Sequence, residues 1–243
     1  MARRYFTPRF FEFFEELGRN NNRDWFAQNK PRYERDVREP MLAFIADFGP
    51  RLRKISARYV ADPRPTGGSM MRIHRNLHFS RDKTPYHTNA AAAFGHRDGK
   101  HFDSPSFYLS LSPAEAFAGV GVWHPQADSV ARIRDAIVAR PAKWKSAVND
   151  RKFRARFELA GDMLSRPPKG YDANHPLIED LKRKDFIGGT QFTRKEVCSA
   201  EFMDLFSSAC ASAAPFMKFL TEALGLKWRA RKTDRAYRMR PIF

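Results

Sequence analysis

Between Arg72 and His87 the chain gathers Arg72, Arg75, Arg81, Lys83 and Tyr86 with the histidines His74, His78 and His87. These are anion-binding side chains. A guanidinium offers a planar fork that takes phosphate or carboxylate bidentately, an ammonium adds a point charge, and a phenol donates one hydrogen bond. The segment reads as strand, turn and strand. Alternate strand residues share a face, so Arg72 and His74 are placed to converge with Lys83 and Tyr86 across the turn, while Ile73 and Arg75 point the other way. Lys169, in the proline-stiffened run from Arg166 to Tyr171, is a further cation able to stand beside a pocket. The predicted anion-binding set is therefore Arg72, His74, Arg75, Lys83, Tyr86 and Lys169. The same segment also admits a structural reading, in which Asp82 pairs with Arg75 or Arg81 and the turn is simply well hydrogen-bonded.

Other chemistry is weaker. Five of the seven histidines fall between His74 and His101. His74 and His78 would face each other only on a helix, whereas their stretch reads as strand and turn, and His96 to His101 lie in a glycine-containing loop. No metal is expected. Ser80, Ser104 and Ser106 have His or Asp nearby in sequence without forming a recognisable nucleophile arrangement. Thr66-Gly67-Gly68-Ser69 lacks the lysine of a phosphate loop and precedes a strand, so it reads as a turn, and no cofactor is expected. Cys198 and Cys210 read as small apolar residues rather than as a disulfide.

Charge supports an anionic partner. Lys and Arg number 44 against 27 acids, a net +17. Such an excess attracts phosphate-rich molecules through its long-range field. It is concentrated: residues 51–100 hold eleven basic and three acidic side chains, and residues 227–243 hold seven and one. That tail interleaves Trp228, Tyr237 and Met239 with cations, a pattern suited either to phosphates and bases or to a solvated terminus. With 42% hydrophobic and 14% aromatic residues in a chain of 243, disorder is excluded. The 22 Phe supply core volume. The N-terminus has no apolar signal core and no apolar run approaches membrane-spanning length, so a soluble, cytoplasmic protein with no membrane partner is expected.

The elements that must carry these residues follow from periodicity. Thr7-Pro8 opens a helix whose apolar face is Phe10, Phe11, Phe13, Phe14 and Leu17. Asn20 to Asn22 can cap a second helix carrying Trp25 and Phe26. A third runs through Tyr33, Val37, Met41, Phe44, Ile45, Phe48 and Leu52, and Pro40 must kink or interrupt it. Strands are expected near 70–75, 88–95, 106–112, 116–123 and 186–192, forming one antiparallel, Phe-rich sheet packed by N- and C-terminal helices. Gly119-Val120-Gly121 marks a bulge or a close approach by backbone or ligand. The fold class is α+β. No repeat or linker interrupts the pattern, so residues 1–226 are expected to be one compact domain followed by the basic tail 227–243.

Several segments, in order, carry a resemblance: Asn20 to Phe26, Phe79-Ser80-Arg81-Asp82-Lys83-Thr84-Pro85-Tyr86, Gly119 to Pro125, Pro168-Lys169-Gly170-Tyr171 and His175-Pro176. Together they resemble the domain-of-unknown-function family numbered 2461 over roughly Phe6 to Leu224. The resemblance implies one compact domain and assigns no catalytic residue. Where such sequences usually read Arg-Asp-x-Arg-Phe, this one has Arg75-Asn76-Leu77-His78-Phe79. An amide cannot take a proton, so a general base at position 76 is ruled against, whereas a neutral hydrogen bond there is retained.

The expected function is a binding module for a phosphate-bearing ligand such as nucleic acid, using the Arg72 to Tyr86 surface. A phosphate-ester hydrolase is the alternative: Arg72, Arg75 and Lys83 would stabilise the transferring group and a histidine or Asp82 would move the proton. A structural or interaction protein with no small ligand fits the same surface.

Overall fold

The computed structural model describes residues 3–78, 81–99 and 103–229. Helix α1 (Pro8–Arg19) begins on Pro8, whose missing N–H costs nothing in a first turn, and buries Phe10, Phe11, Phe13, Phe14 and Leu17. The three asparagines that follow divide the work of the turn. Asn20 returns its amide to Glu16 O at 3.0 Å, and Asn22 caps α2 (Arg23–Tyr33) by accepting from Trp25 N at 2.9 Å. Pro40 does not break the next helix. The chain passes through a π-helical turn, Glu34–Arg38, into α3 (Glu39–Ile55), and Pro40 sits in the first turn of α3, where its lack of a donor is tolerated.

The sheet is antiparallel with five strands: β1 (Ala90–Gly95), β2 (Ser106–Leu111), β3 (Ala116–Val122), β4 (Glu158–Ala160) and β5 (Phe186–Phe192), in the order β1-β2-β3-β5-β4. The α+β class read from the sequence is the observed one. Residues 70–75 make no full ladder: Met71 N donates to Ala91 O at 2.8 Å, Ala93 N to Ser69 O at 2.9 Å, and Met70 and His74 make single bridges to Ala92 and Tyr86. They partly cover the outer edge of β1. Edge strand β4 is not among the strands expected from the sequence, because three residues are too few to show alternation and it pairs only with β5.

Period two divides the strands between faces. Phe94, Phe107, Leu109, Leu111, Ala118, Val120 and Phe186 point one way and are buried. The helices on that side include α3, α4 (Ala127–Ala139), α5 (Pro141–Val148), α6 (Arg151–Arg154), α9 (Phe202–Ser212) and α10 (Ala214–Ala223). The short helices α7 (Ile178–Leu181) and α8 (Arg194–Val197) flank β5 in the chain. Phe48 meets Phe94 and Phe206 edge to face, with centroids 4.8 and 4.9 Å away. Each such ring contributes about 1.5–3 kcal/mol by leaving water. Most of the phenylalanines are core, as expected, and the buried cluster extends from Phe6 to Trp228.

Trp228 corrects the reading of the tail. It is 7% exposed, its ring lies 5.7 Å from Tyr59, and its carbonyl accepts from Ser56 Oγ at 2.5 Å. Lys227 O is 2.9 Å from His96 Nε2. Trp228 is thus a core side chain rather than a base-stacking one. Ala230 to Phe243, with the remaining tail cations, lie outside the described residues. Among the described residues no helix is long and apolar enough to cross a membrane.

Candidate functional site

The opposite face of the sheet is open and small-residued. Register aligns Gly95, Ser106, Gly121, Ile187 and Ala160 in one cross-strand row, and Ala93, Tyr108, Gly119 and Gly189 in the next. Above this floor lies a cavity of about 730 Å³. That volume falls within the roughly 300–1,000 Å³ of small-ligand sites. Tyr108, Phe117 and Trp123 supply aromatic walls, and Asp62, Met71, Arg97 and Ser104 contribute to its lining. Tyr108 and Phe117, on neighbouring strands, tilt against one another at 43° with centroids 5.7 Å apart. Burial raises the Tyr108 phenol above its ordinary pKa, against the Ser110 hydrogen bond, so it stays a neutral donor. Trp123 is 63% exposed and stacks on His124 at 4.5 Å.

The two glycines of Gly119-Val120-Gly121 do different things. Gly121 has φ +118, and a Cβ there would stand 2.0 Å from Phe186 O, so β5 backbone occupies the space. Gly119 faces the cavity, and a Cβ on it would meet the Tyr108 side chain at an ordinary 3.5–3.6 Å. One is required by packing and the other keeps the floor low.

His96 also lines the cavity, but its imidazole is held. Nδ1 accepts from Asp98 N at 3.2 Å, which leaves Nε2 as the donor to Lys227 O at 2.9 Å. Both nitrogens are occupied by backbone.

The predicted anion set lies elsewhere. None of Arg72, His74, Arg75, Lys83, Tyr86 or Lys169 lines this cavity; only Met71, their neighbour, reaches it. Tyr86 is buried and stacked on Phe26 at 4.2 Å. Asn21 grips its backbone, with Nδ2 donating to Tyr86 O at 2.9 Å and Oδ1 accepting from Tyr86 N at 3.1 Å. Arg75 pairs with Asp82 and donates to Thr84 Oγ1 at 3.0 Å, and Lys83 donates to Leu77 O at 3.1 Å. The hydrogen-bonded turn set against the anion site in the sequence is what these contacts build. His74 packs its ring 5.1 Å from Tyr86. Arg72 and Lys83 remain solvent-facing. Asn76, at the family's usual Asp position, accepts from His78 N at 3.2 Å and so serves the turn. Lys169 is exposed on a separate loop, whose Tyr171 donates to Asp135 of α4 at 2.8 Å.

Sequence reasoning missed the cavity because its floor is made of absent side chains. Strand alternation in β2 and β3 leaves Tyr108, Phe117 and the glycines on one face, a signal that was there, but only register places them side by side.

Fold and site together define an α+β protein with helices on one face of an antiparallel sheet and an aromatic-walled cavity on the other. The chain belongs to the conserved hypothetical protein family DUF2461, whose model matches residues 9–219. No curated protein matches it.

Proposed function

We propose that this protein is a cytoplasmic binding module, with residues 1–226 and the adjoining Trp228 acting as one domain, for a phosphate-bearing ligand whose planar base enters the sheet-face cavity. The carrying observation is the juxtaposition of Tyr108, Phe117 and Trp123 over a glycine floor. Aromatic faces accept any base by stacking, worth about 1–3 kcal/mol per base. A strongly basic chain, at +17, favours the phosphates of single-stranded nucleic acid or a nucleotide. Arg97 at the cavity and solvent-facing Arg72 one residue beyond Met71 suit the ligand's anionic part. The two free thiols, Cys198 and Cys210, fit a reducing compartment.

The test is titration of the protein with short single-stranded oligonucleotides and with nucleotides, followed by tryptophan fluorescence. Quenching that weakens about tenfold in Tyr108→Ala and in Phe117→Ala supports the reading, at one stacked base per ring. Unchanged affinity in both variants refutes it.

A further inference from the structure

A second, smaller pocket lies where β3, α4 and β5 meet. His124, Arg134 and Lys184 line it together with Asp185, and its volume is about 380 Å³. We propose that this pocket binds a phosphate group, with His124, Arg134 and Lys184 as its donors. The proposal deepens the reading above by adding a phosphate position distinct from Arg97 and Arg72; it rests on that reading only for the ligand's base.

Arg134 is the principal witness. Its Nη2 donates to Arg183 O at 2.9 Å, while its Nε is buried without a hydrogen-bond partner. Among the described residues no carboxylate stands within ion-pair distance of it. Burial holds its pKa below the ordinary guanidinium value, opposed by Tyr171. A buried donor left without an acceptor is costly, and an anion in the pocket would supply one. Lys184 adds a second, solvent-facing positive charge on the same pocket.

His124 is fixed rather than merely nearby. It is the one non-glycine residue with positive φ among those described, at +48, a conformation that His adopts more readily than most residues. Asp185, 1% exposed, holds it there: Oδ1 accepts from His124 N at 2.6 Å and lies 3.2 Å from His124 Nδ1. The other oxygen accepts from Asp162 N at 2.9 Å. The carboxylate is thus engaged on both oxygens, and its contact with Nδ1 leaves Nε2 as the ring nitrogen available to a ligand. The exposed His124 ring stacks on Trp123, which lines the larger cavity. A base in that cavity and a phosphate beside His124 would therefore flank one indole.

The experiment follows the His124 ring signals by NMR while inorganic phosphate replaces chloride at constant ionic strength. Saturable shifts are expected, weakened about tenfold in Lys184→Met and in Arg134→Gln for each lost charged donor. His124→Asn, which preserves the left-handed backbone and is followed by the neighbouring Trp123 indole signal instead, should weaken phosphate binding while keeping the melting temperature. Shifts linear in phosphate, or titrations the same in Lys184→Met and wild type, would overturn the proposal. Adenosine and adenosine 5′-monophosphate separate the two readings. If only the pocket fails, both bind alike and both lose affinity in Tyr108→Ala. If only the cavity fails, inorganic phosphate still binds and Tyr108→Ala leaves adenosine 5′-monophosphate unaffected.

Discussion

Asn21 and Tyr86 are 65 positions apart, yet the Asn21 side chain makes both backbone hydrogen bonds that a neighbouring strand would make to Tyr86, at 2.9 and 3.1 Å. The turn between α1 and α2 thereby holds the basic hairpin on the helical layer, with Tyr86 flat against Phe26. Asn21→Ala leaves one partly buried donor and one acceptor unpaired, so a loss of about 1–3 kcal/mol is expected. Urea denaturation measures it. A change within 0.5 kcal/mol, roughly the noise of a surface substitution, would show that the hairpin is held by packing alone.

Gly119 and Gly121 are predicted to part company. Gly121→Ala drives a Cβ to 2.0 Å from Phe186 O at a φ of +118. Several kcal/mol of stability should be lost. Gly119→Ala fits beside Tyr108 at 3.5 Å and should fold with nearly wild-type stability while raising the cavity floor. Thermal melts of both variants, set beside ligand titration of Gly119→Ala, check the pair. Equal melting temperatures would refute the assignment.

Trp228→Ala should cost about 3–5 kcal/mol as a buried aromatic truncation. Its contact with Tyr59 and the Ser56 bond to its carbonyl place it in the core. Any truncation meant to test the charge of the tail must therefore begin after Arg229. Wild-type stability in Trp228→Ala, by calorimetry, would contradict the burial.

The His87 imidazole is held below its ordinary 6.5 by burial first, then by the charges of Arg75 and Arg72. The neutral form is favoured in the folded protein. Its stabilising contribution is therefore present above 6.5 and lost as pH falls through the lower, folded-state value. Ring titration by NMR should give that lower value, and Arg72→Met should raise it. A midpoint above 6.5 would reverse the sign.

Arg72, Arg81 and Lys83 are solvent-facing cations of the hairpin. If the hairpin assists nucleic-acid binding, neutralising any one of them should reduce the slope of log affinity against log salt by about 0.7–0.9. Unchanged slopes in all three single variants would confine the phosphate contacts to other surfaces.

Local pattern alone was enough for much of the fold. The α1 face from Phe10 to Leu17, the alternation of β2 and β3, and the capping asparagines were legible because period and side-chain type act over a few residues. The cations of Arg72 to Lys83 were legible as a cluster, but their partners were not. Whether Arg75 meets Asp82 or a ligand, and whether Tyr86 faces water or Phe26, depends on long-range packing. The same limit hid the cavity and the smaller pocket. Residues 108 and 117 become neighbours only through strand register, and His124 meets Asp185 only because Gly121 lets β5 come close to β3. Composition and periodicity determined the helices, most of the strands and the basic character of the chain. Tertiary structure decided which aromatic faces stay open and which charges are left without a partner, because both are set by contacts between residues far apart in the chain.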